Sequence, residues 1–277
     1  MPSAKPISAA QNLKGHNAIL KECNRIVPPE KGDLPAYNVK AGCIQEIYNI
    51  VQQHHQKEEL PILYRYCPAN AYNLLSVLNQ EVYLMDATKM NDAYEGRVIC
   101  KDSFYNYLQL KIRGYQKHTY LKSFCTKRDD PVMWEEYGDQ HRGICITYDL
   151  NKLSETSPIL GHLFPVQYSN VPFISVYPKK LENNPYFYLR KETKWEHECE
   201  WRLVYLKNAL SELNGKRFVS LNNCITSITF GACMDEDLKQ SICKAIESTF
   251  LNPKIAMYEA KLSPRLKITS KQWGKSC

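Results

Sequence analysis

Residues 191–206, KETKWEHECEWRLVYL, place charged side chains within an apolar strand pattern. The alternation of a strand predicts two unlike faces, one formed by Cys199, Trp201, Leu203 and Tyr205 and the other beginning with Glu198, Glu200 and Arg202. Buried carboxylate and guanidinium groups need either water or one another. The pattern therefore predicts either a solvated surface pair between Glu200 and Arg202, or a doubly buried strand whose charged end opens on a cleft.

Other polar or aromatic residues stand in apolar surroundings near the ends of predicted strands. One arginine lies between two tyrosines in the strand ILYRYC, and a loop crowded with polar groups follows a later strand. Because these features fall at strand ends, they favour a shared cleft. The candidates that join Glu200 and Arg202 there are Arg65, Tyr66, Asn91, Asp92, Glu95, Trp134 and Tyr137.

Each candidate also has a purely structural interpretation. Arg65 could pair with Asp92 or Glu95 as a clamp, and the Asn-Asp pair of the loop could form a turn, since both residue types tolerate turn conformations. Trp134 and Tyr137 lie three residues apart on one predicted helix face and could belong to the core instead of stacking on a ligand. The sequence leaves both interpretations open.

The sequence divides into two regions, and the candidate residues all lie in the second. Residues 1–58 predict an N-terminal arm with an amphipathic helix at 39–56, and residues 59–277 predict a single main domain that ends in a basic hairpin and tail. Asn70 or Asn73 can cap a helix at 71–79, and Asp129 or Asp130 can cap a helix that has Pro131 in its first turn. Further helices are predicted at 98–115, 186–196 and 235–250, the last with Leu238, Ile242, Ala245 and Ile246 facing inward.

Strands are predicted between these helices at 62–67, 81–87, 120–126, 143–150, 199–206, 218–222 and 225–231. The nearly continuous apolar run at 143–150 suits the middle of a sheet, whereas prolines in 164–177 are typical of edge strands. Residues 254–270 predict a closing hairpin. The connections are too irregular for a doubly wound sheet, so we expect an α+β fold with a mixed, split β-sheet and flanking helices.

The composition excludes several classes of protein. The chain has 277 residues, a mean hydropathy of −0.47 and no apolar run near the ~20 residues of a membrane helix, and its N-terminus lacks the apolar region of a secretory signal. Eleven scattered cysteines without a CxxC pair predict reduced thiols packed as small hydrophobic groups in a cytoplasmic protein, with no metal site. The net charge of +7 is concentrated in residues 254–277, a candidate contact with nucleic acid.

Common catalytic motifs are missing. There is no GxGxxG or GxSxG, and the sequence GKS at 274–276 lacks both the earlier glycine and the helix of a phosphate-binding loop. His197-Glu198 begins like a zinc-protease motif, but no second histidine follows at the required spacing. Chemistry, if present, therefore depends on residues brought together by the fold.

Four segments together resemble a known family. LYRY…LLSVLNQEVYLMDATKMNDAYEG, SFCTKRDDPVMWEEYGDQHRGICITYDL, KETKWEHECEWRL and ITSITFG, in this order, are similar to the bacterial domain-of-unknown-function family 2971 (DUF2971). The resemblance runs from about Pro61 to Ile268, with Ala93 where the family usually has proline. It implies a bacterial protein and no established activity.

The order of elements also resembles ADP-ribosyltransferase-like folds, which begin with a strand bearing Arg or His beside Tyr and carry a glutamate on a later strand. This resemblance implies an NAD-using ADP-ribosyltransferase or NAD glycohydrolase, with a toxin or defence role. It implies that Glu200 stabilises an oxocarbenium-like ribose, Arg65 holds the pyrophosphate, Tyr66 or Trp134 stacks on a ring, and Arg202 orients Glu200. The second strand reads VYLMDAT and lacks the usual Ser-Thr-Ser.

Two other functions fit the same residues. The cleft could recognise a nucleotide or a nucleic-acid end without chemistry, assisted by the basic C-terminal tail. Alternatively, the chain could bind a protein partner, with the conspicuous polar residues acting as structural clamps. The sequence does not define the oligomeric state.

Overall fold

The computed structural model describes residues 21, 60–90, 98–99, 117–154, 157–168, 170, 173–174, 188–206, 216–221, 223–249, 255–263 and 268–272. The predicted N-terminal arm and helix lie outside this part of the chain, apart from Lys21. Asn91, Asp92 and Glu95 also lie outside it, as does most of the helix predicted at 98–115.

The described residues contain three α-helices: α1 (Ala71–Leu78), α2 (Pro131–Glu136) and α3 (Glu236–Thr249). Their strands, in chain order, are β1 (Leu63–Cys67), β2 (Glu81–Tyr83), β3 (Met85–Asp86), β4 (Val98–Ile99), β5 (Thr119–Cys125), β6 (Ile144–Tyr148), β7 (Leu163–Pro165), β8 (Gln167–Tyr168), β9 (Phe173–Ile174), β10 (Arg190–Lys191), β11 (Glu200–Leu206), β12 (Phe218–Ser220), β13 (Ile225–Phe230), β14 (Ala256–Leu262) and β15 (Ile268–Gln272). Short 3₁₀ helices occur at Ala87–Lys89, Leu150–Lys152, Pro158–His162 and Thr193–Glu198.

One large mixed sheet dominates the fold. Its strand order is β15-β14-β13-β6-β1-β5-β11-β7, and β3 pairs with β5 beside this path. The β13–β14 pair is parallel and the other pairs of this sheet are antiparallel. This confirms the predicted α+β class with a mixed sheet, and it confirms that the apolar run of β6 lies in the middle, buried at all five positions.

The sheet is split beside β5. Strand β11 pairs with β5 along its whole length, but on the other side β5 has two short partners. Strand β1 meets it at the single pair Tyr64–Cys125, and β3 meets it only at Met85–Leu121 and Asp86–Tyr120. Residues 122–124 therefore have no described strand opposite them on that side, and the sheet opens there.

Each face of the sheet carries its own core. Since paired residues share a face, Tyr64, Tyr66 and Cys125 lie on one side, where they pack with Met133 and Trp134 of α2. The opposite side packs into a larger cluster that includes buried residues of α1 and α3, among them Val77 and Ile242. Helix α2 thus covers the face on which the charged residues of β11 also lie, because Glu200 pairs with Cys125.

The structure identifies which of the two predicted residues caps each of the helices α1 and α2. Asn70 is the residue that caps α1, since its side chain accepts a hydrogen bond from the Asn73 backbone N–H. Asp130 caps α2 by accepting from the backbone N–H groups of Val132 and Met133. Strands β14 and β15 form the predicted hairpin.

Four predictions of local structure were wrong. The strand predicted at 81–87 is broken at Leu84, because β2 pairs with β12 while β3 turns to pair with β5. Residues 98–99 form strand β4, paired with β9, where a helix was expected to begin. The helix predicted at 186–196 is instead strand β10, paired with β8, followed by a 3₁₀ helix; tertiary pairing overrides the local pattern. On α3, Leu238 and Ala245 are exposed and Lys239 is buried in their place.

Candidate functional site

The split in the sheet leads into a cleft with a volume of about 440 Å³. Residues of β1, β5, α2, β10, β11 and the 3₁₀ helix before β11 line it. Of the residues singled out from the sequence, the structure brings five to its walls: Arg65, Tyr66, Tyr137, Glu200 and Arg202. The predicted cleft candidates thus come from strands that are more than 130 positions apart in the chain.

Arg65 and Glu200 approach the cleft from different faces of the sheet. By alternation, Arg65 points to the side opposite Tyr64 and Tyr66, whereas Glu200 lies on the same side as Tyr64. Ser123, in the gap of β5, connects them: its carbonyl oxygen accepts from Arg65 Nη1 at 3.3 Å and its side chain hydrogen-bonds Glu200. The two groups therefore share the cleft without pairing with one another.

A buried network of charges forms the wall on the Glu200 side. Arg202 donates two parallel hydrogen bonds to the Glu200 carboxylate, from Nε to Oε1 and from Nη2 to Oε2, both 2.7 Å long. Lys191 Nζ lies 3.2 Å from Glu200 Oε2 and also donates to Glu198 Oε2. The hydroxyl of Tyr137 donates to Glu198 Oε1 at 2.6 Å. Two carboxylates and two cations thus balance in charge.

Burial decides between the two interpretations of the Glu200–Arg202 pair. Glu200 is 4% exposed and Arg202 is 0% exposed, so the pair is not a solvated surface pair. The neighbouring strand residues Trp201 and Val204 are also buried, on opposite faces, as expected for a doubly buried strand. The charged end of β11 opens on the cleft, which is the second of the two arrangements considered from the sequence.

The network moves the pKa values of its two carboxyls in opposite directions. Burial, followed by the charge of Glu200, raises the pKa of Glu198. Burial alone would also raise the pKa of Glu200, but Arg202 and Lys191 together lower it to about 2. Glu200 is therefore a permanently ionised carboxylate at neutral pH, whereas Glu198 is the carboxyl whose proton is held more tightly.

Backbone geometry places Glu198 and Glu200 side by side. Glu198 ends the 3₁₀ helix, and Cys199 follows with a left-handed backbone at φ 45°, after which β11 begins. The Glu200 N–H then donates to the hydroxyl of Tyr168 at 2.8 Å. The turn at Cys199 lets both carboxylates face Lys191, although Glu198 is not part of the strand as the alternation predicted.

The aromatic residues of the site have unequal roles. The hydroxyl of Tyr66 donates to the Lys127 carbonyl and accepts from the Asp130 N–H, both at 3.2 Å, which fixes its ring at the cleft wall. Trp134 is 0% exposed, and its ring meets that of Tyr66 edge to face at 5.0 Å. Trp134 therefore packs against Tyr66 in the core, which is the structural one of the two roles considered from the sequence, and it is not among the residues that line the cleft.

Sequence reasoning missed several residues of the wall. Lys191, Trp195, Glu198 and Ser123 line the cleft, but none was selected as a site residue. Lys191 Nζ lies 5.1 Å from the centre of the Trp195 ring, a cation–π contact within one segment. The signal was present in KETKWEHE, where Lys, Trp and Glu residues lie close together, but the helix predicted at 186–196 separated Lys191 and Trp195 from Glu200. Glu198 was placed on the same strand face as Glu200 but was not selected as a candidate.

Some predicted features fall outside the described residues. Asn91, Asp92 and Glu95 lie outside the described part of the chain, so the clamp between Arg65 and Asp92 or Glu95 stays a prediction. None of the described cysteines forms a disulfide, and five of the seven are buried; they are Cys67, Cys125, Cys145, Cys199, Cys224, Cys233 and Cys243. Within the described part of the chain, no cluster of three or more His, Cys, Asp or Glu side chains has the arrangement of a metal site. No helix in the described ranges has the length and apolar character needed to cross a bilayer.

Comparison with known proteins gives one result. The model of a family described as "Protein of unknown function (DUF2971)" matches residues 133–203, from α2 into β11. This range contains Tyr137, Lys191, Glu198, Glu200 and Arg202, whereas Arg65 lies before it. Searches of curated proteins and of solved structures found no match. Residues 133–203, which carry the charged wall of the cleft, thus match DUF2971, as the sequence resemblance predicted for this part of the chain.

Proposed function

We propose that the cleft binds NAD and that the protein cleaves its nicotinamide N-glycosidic bond, as an ADP-ribosyltransferase or an NAD glycohydrolase. One observation carries the proposal: two adjacent carboxyls with pKa values moved in opposite directions line the same cleft as a guanidinium. Pairs of this kind divide the work of glycoside chemistry between a charge stabiliser and a proton carrier. A toxin or defence role stays a prediction.

The chemistry assigns different tasks to the two carboxylates. When the bond between ribose C1′ and the pyridinium nitrogen breaks, its electron pair leaves with neutral nicotinamide, and positive charge develops on the ribose. Glu200, ionised because Arg202 and Lys191 surround it, stabilises that charge. A water molecule or an acceptor hydroxyl then attacks C1′, and its proton passes to ionised Glu198, the more basic of the two.

The remaining residues bind and position. Arg65 binds the pyrophosphate from the opposite side of the gap in β5, through charge-assisted hydrogen bonds. Tyr66 and Trp195 offer aromatic surface to the nicotinamide or adenine ring. Arg202 acts as a positioning residue, since both of its bonds to Glu200 fix the carboxylate plane.

The direct test is release of nicotinamide from NAD by the purified protein. We expect turnover by the wild-type chain, loss of turnover in Glu200→Gln and Glu198→Gln, and normal turnover in the control Glu135→Gln, which removes an exposed carboxylate at the edge of α2. Circular dichroism must show that each variant is folded. Absence of nicotinamide release, together with no heat on titration with NAD, would overturn the proposal.

A second function is favoured by the balance of charge in the wall. Each carboxylate already bonds a cation, an arrangement that also suits a rigid binding module without chemistry. In that case Arg65→Ala would weaken nucleotide binding and Glu200→Gln would matter little to it. Binding of nucleic acid through the basic tail, most of which lies outside the described residues, would instead show a steep dependence on salt.

A further inference from the structure

One residue of β5 directs its main-chain groups into the gap in the sheet. The Thr126 N–H donates to the Cys199 carbonyl at 3.2 Å, so Thr126 directs its main-chain groups toward β11. Because these groups alternate sides along a strand, Phe124 also directs its groups toward β11, whereas Ser123 directs its N–H and C=O away from β11 and into the gap. The bond of 3.3 Å from Arg65 Nη1 to the Ser123 carbonyl oxygen agrees with this direction.

The strands on that side of β5 leave Ser123 without a partner strand. The nearest cross-strand pairs are Tyr64–Cys125 in one direction and Met85–Leu121 in the other. The two positions on β5, 125 and 121, are four residues apart, or about 13 Å at ~3.3 Å per residue. Within the described residues, the Ser123 N–H has no hydrogen-bond partner. An unpaired main-chain N–H at a cleft is available to donate to a ligand.

These main-chain groups lie beside the proposed reaction centre. Ser123 is half-buried and lines the cleft, and its side chain hydrogen-bonds Glu200. The ring of Tyr66 lines the same cleft from β1. A ring compound held by the main chain of Ser123 therefore lies close to the carboxylate that, in the proposed function, stabilises the charge on the ribose.

The chemistry of the gap favours a neutral amide over other polar groups. The carbonyl of a primary carboxamide can accept from the Ser123 N–H while its NH₂ donates to the Ser123 carbonyl, as a paired strand residue would. That carbonyl oxygen has two lone pairs, so its bond from Arg65 leaves one free. A carboxylate has no N–H to donate, and its charge would lie near ionised Glu200. A peptide strand is too long for the gap, because cross-strand pairs close it at both ends.

We propose that the main chain of Ser123 forms an amide subsite that recognises a primary carboxamide on the ligand of the cleft. The inference rests on the proposed function for the identity of that group as the carboxamide of nicotinamide. It adds a source of specificity, because nicotinate carries the same ring without the amide donor.

Titration calorimetry with nicotinamide tests the subsite in a pair of variants at one position. Ser123→Pro removes the N–H, and it breaks no bond to β11 because this N–H faces the gap. Ser123→Ala is the matched control, since it loses the same side-chain bond to Glu200 but keeps the N–H. We expect nicotinamide to bind Ser123→Pro about threefold to tenfold more weakly than Ser123→Ala, as for the loss of one hydrogen bond.

A second measurement needs no proline and applies even if Ser123→Pro does not fold. In the wild type labelled with ¹⁵N-serine, the Ser123 amide signal is identified by its loss in Ser123→Ala. Saturating nicotinamide should move this amide proton downfield and slow its exchange with solvent, because the N–H gains an acceptor. Nicotinate should bind the wild type more weakly than nicotinamide does.

The outcomes separate the amide subsite from the proposed function. Equal affinity of folded Ser123→Pro and Ser123→Ala for nicotinamide, or a Ser123 amide signal that does not move, overturns the subsite even if NAD is cleaved. Nicotinate that binds as tightly as nicotinamide, or nicotinamide that does not bind, also overturns it. A shifted Ser123 signal and a preference for the amide, with no release of nicotinamide from NAD, support the subsite and overturn the proposed chemistry.

Discussion

Replacement by glutamine should lower the stability of the fold much more at Glu200 than at Glu198. In Glu200, the pKa falls from an ordinary value of 4.5 to about 2, because Arg202 and Lys191 outweigh the effect of burial. At about 1.4 kcal/mol per pH unit, this carboxylate stabilises the fold by about 3 kcal/mol at neutral pH. Breaking a buried pair by removing one partner gives a similar cost, about 3–5 kcal/mol.

The pKa of Glu198 is shifted in the opposite direction to that of Glu200. Burial and the neighbouring Glu200 raise its pKa, so its ionised form is disfavoured in the fold relative to the unfolded chain. Removing that charge by Glu198→Gln relieves the repulsion and leaves Lys191 bonded to Glu200. We therefore expect Glu200→Gln to lower the free energy of unfolding by about 3 kcal/mol and Glu198→Gln to lower it by much less.

Urea denaturation over a range of pH measures both effects. The contribution of Glu200 is fully present above pH 4.5 and is lost as pH falls toward 2, because the group is protonated in the unfolded chain first. The difference in unfolding free energy between the wild type and Glu200→Gln should thus shrink across this window. Equal destabilisation by the two variants at pH 7, or a difference that does not change between pH 4.5 and 2, would refute the reasoning.

Three further changes test the packing around the site. Tyr137→Phe removes the 2.6 Å bond to Glu198 and should cost about 1.5–3 kcal/mol by urea denaturation, and a loss below 0.5 kcal/mol (about the scale of an exposed contact) would contradict the assigned bond. Trp134→Ala should cost about 3–5 kcal/mol, because the ring is fully buried against Tyr66; near-neutral stability would mean that the ring is not in the core. Gly231→Ala should cost about 1–3 kcal/mol in thermal unfolding, since the added Cβ would overlap the His141 carbonyl, and no change in the midpoint would show that this close approach is absent.

Alternation and capping rules predicted much of the fold from the sequence. The apolar run of β6 indicated a central strand, and Asp130 before Pro131 marked the start of α2. The same rules placed Glu200 and Arg202 on one face of β11, and the structure brings this face and Arg65 to one cleft. These features depend on local periodicity, which a single sequence carries.

The rest depended on pairing across the chain, which local patterns do not carry. Residues 186–196 resemble a helix, but β10 is held by its pairing with β8, and this places Lys191 against both carboxylates. Trp134 and Tyr137 look alike at three-residue spacing, yet one lies under Tyr66 and the other bonds Glu198.

A structure determined with NAD soaked into crystals tests the central claim most directly. The proposal expects the dinucleotide, or its cleaved products, in the cleft between β1 and β5, with the pyrophosphate at Arg65 and the nicotinamide ribose beside Glu200. Crystals of Glu200→Gln should hold the intact dinucleotide in the same place. Dinucleotide bound elsewhere on the protein, or a cleft that stays empty at saturating NAD, would contradict the account.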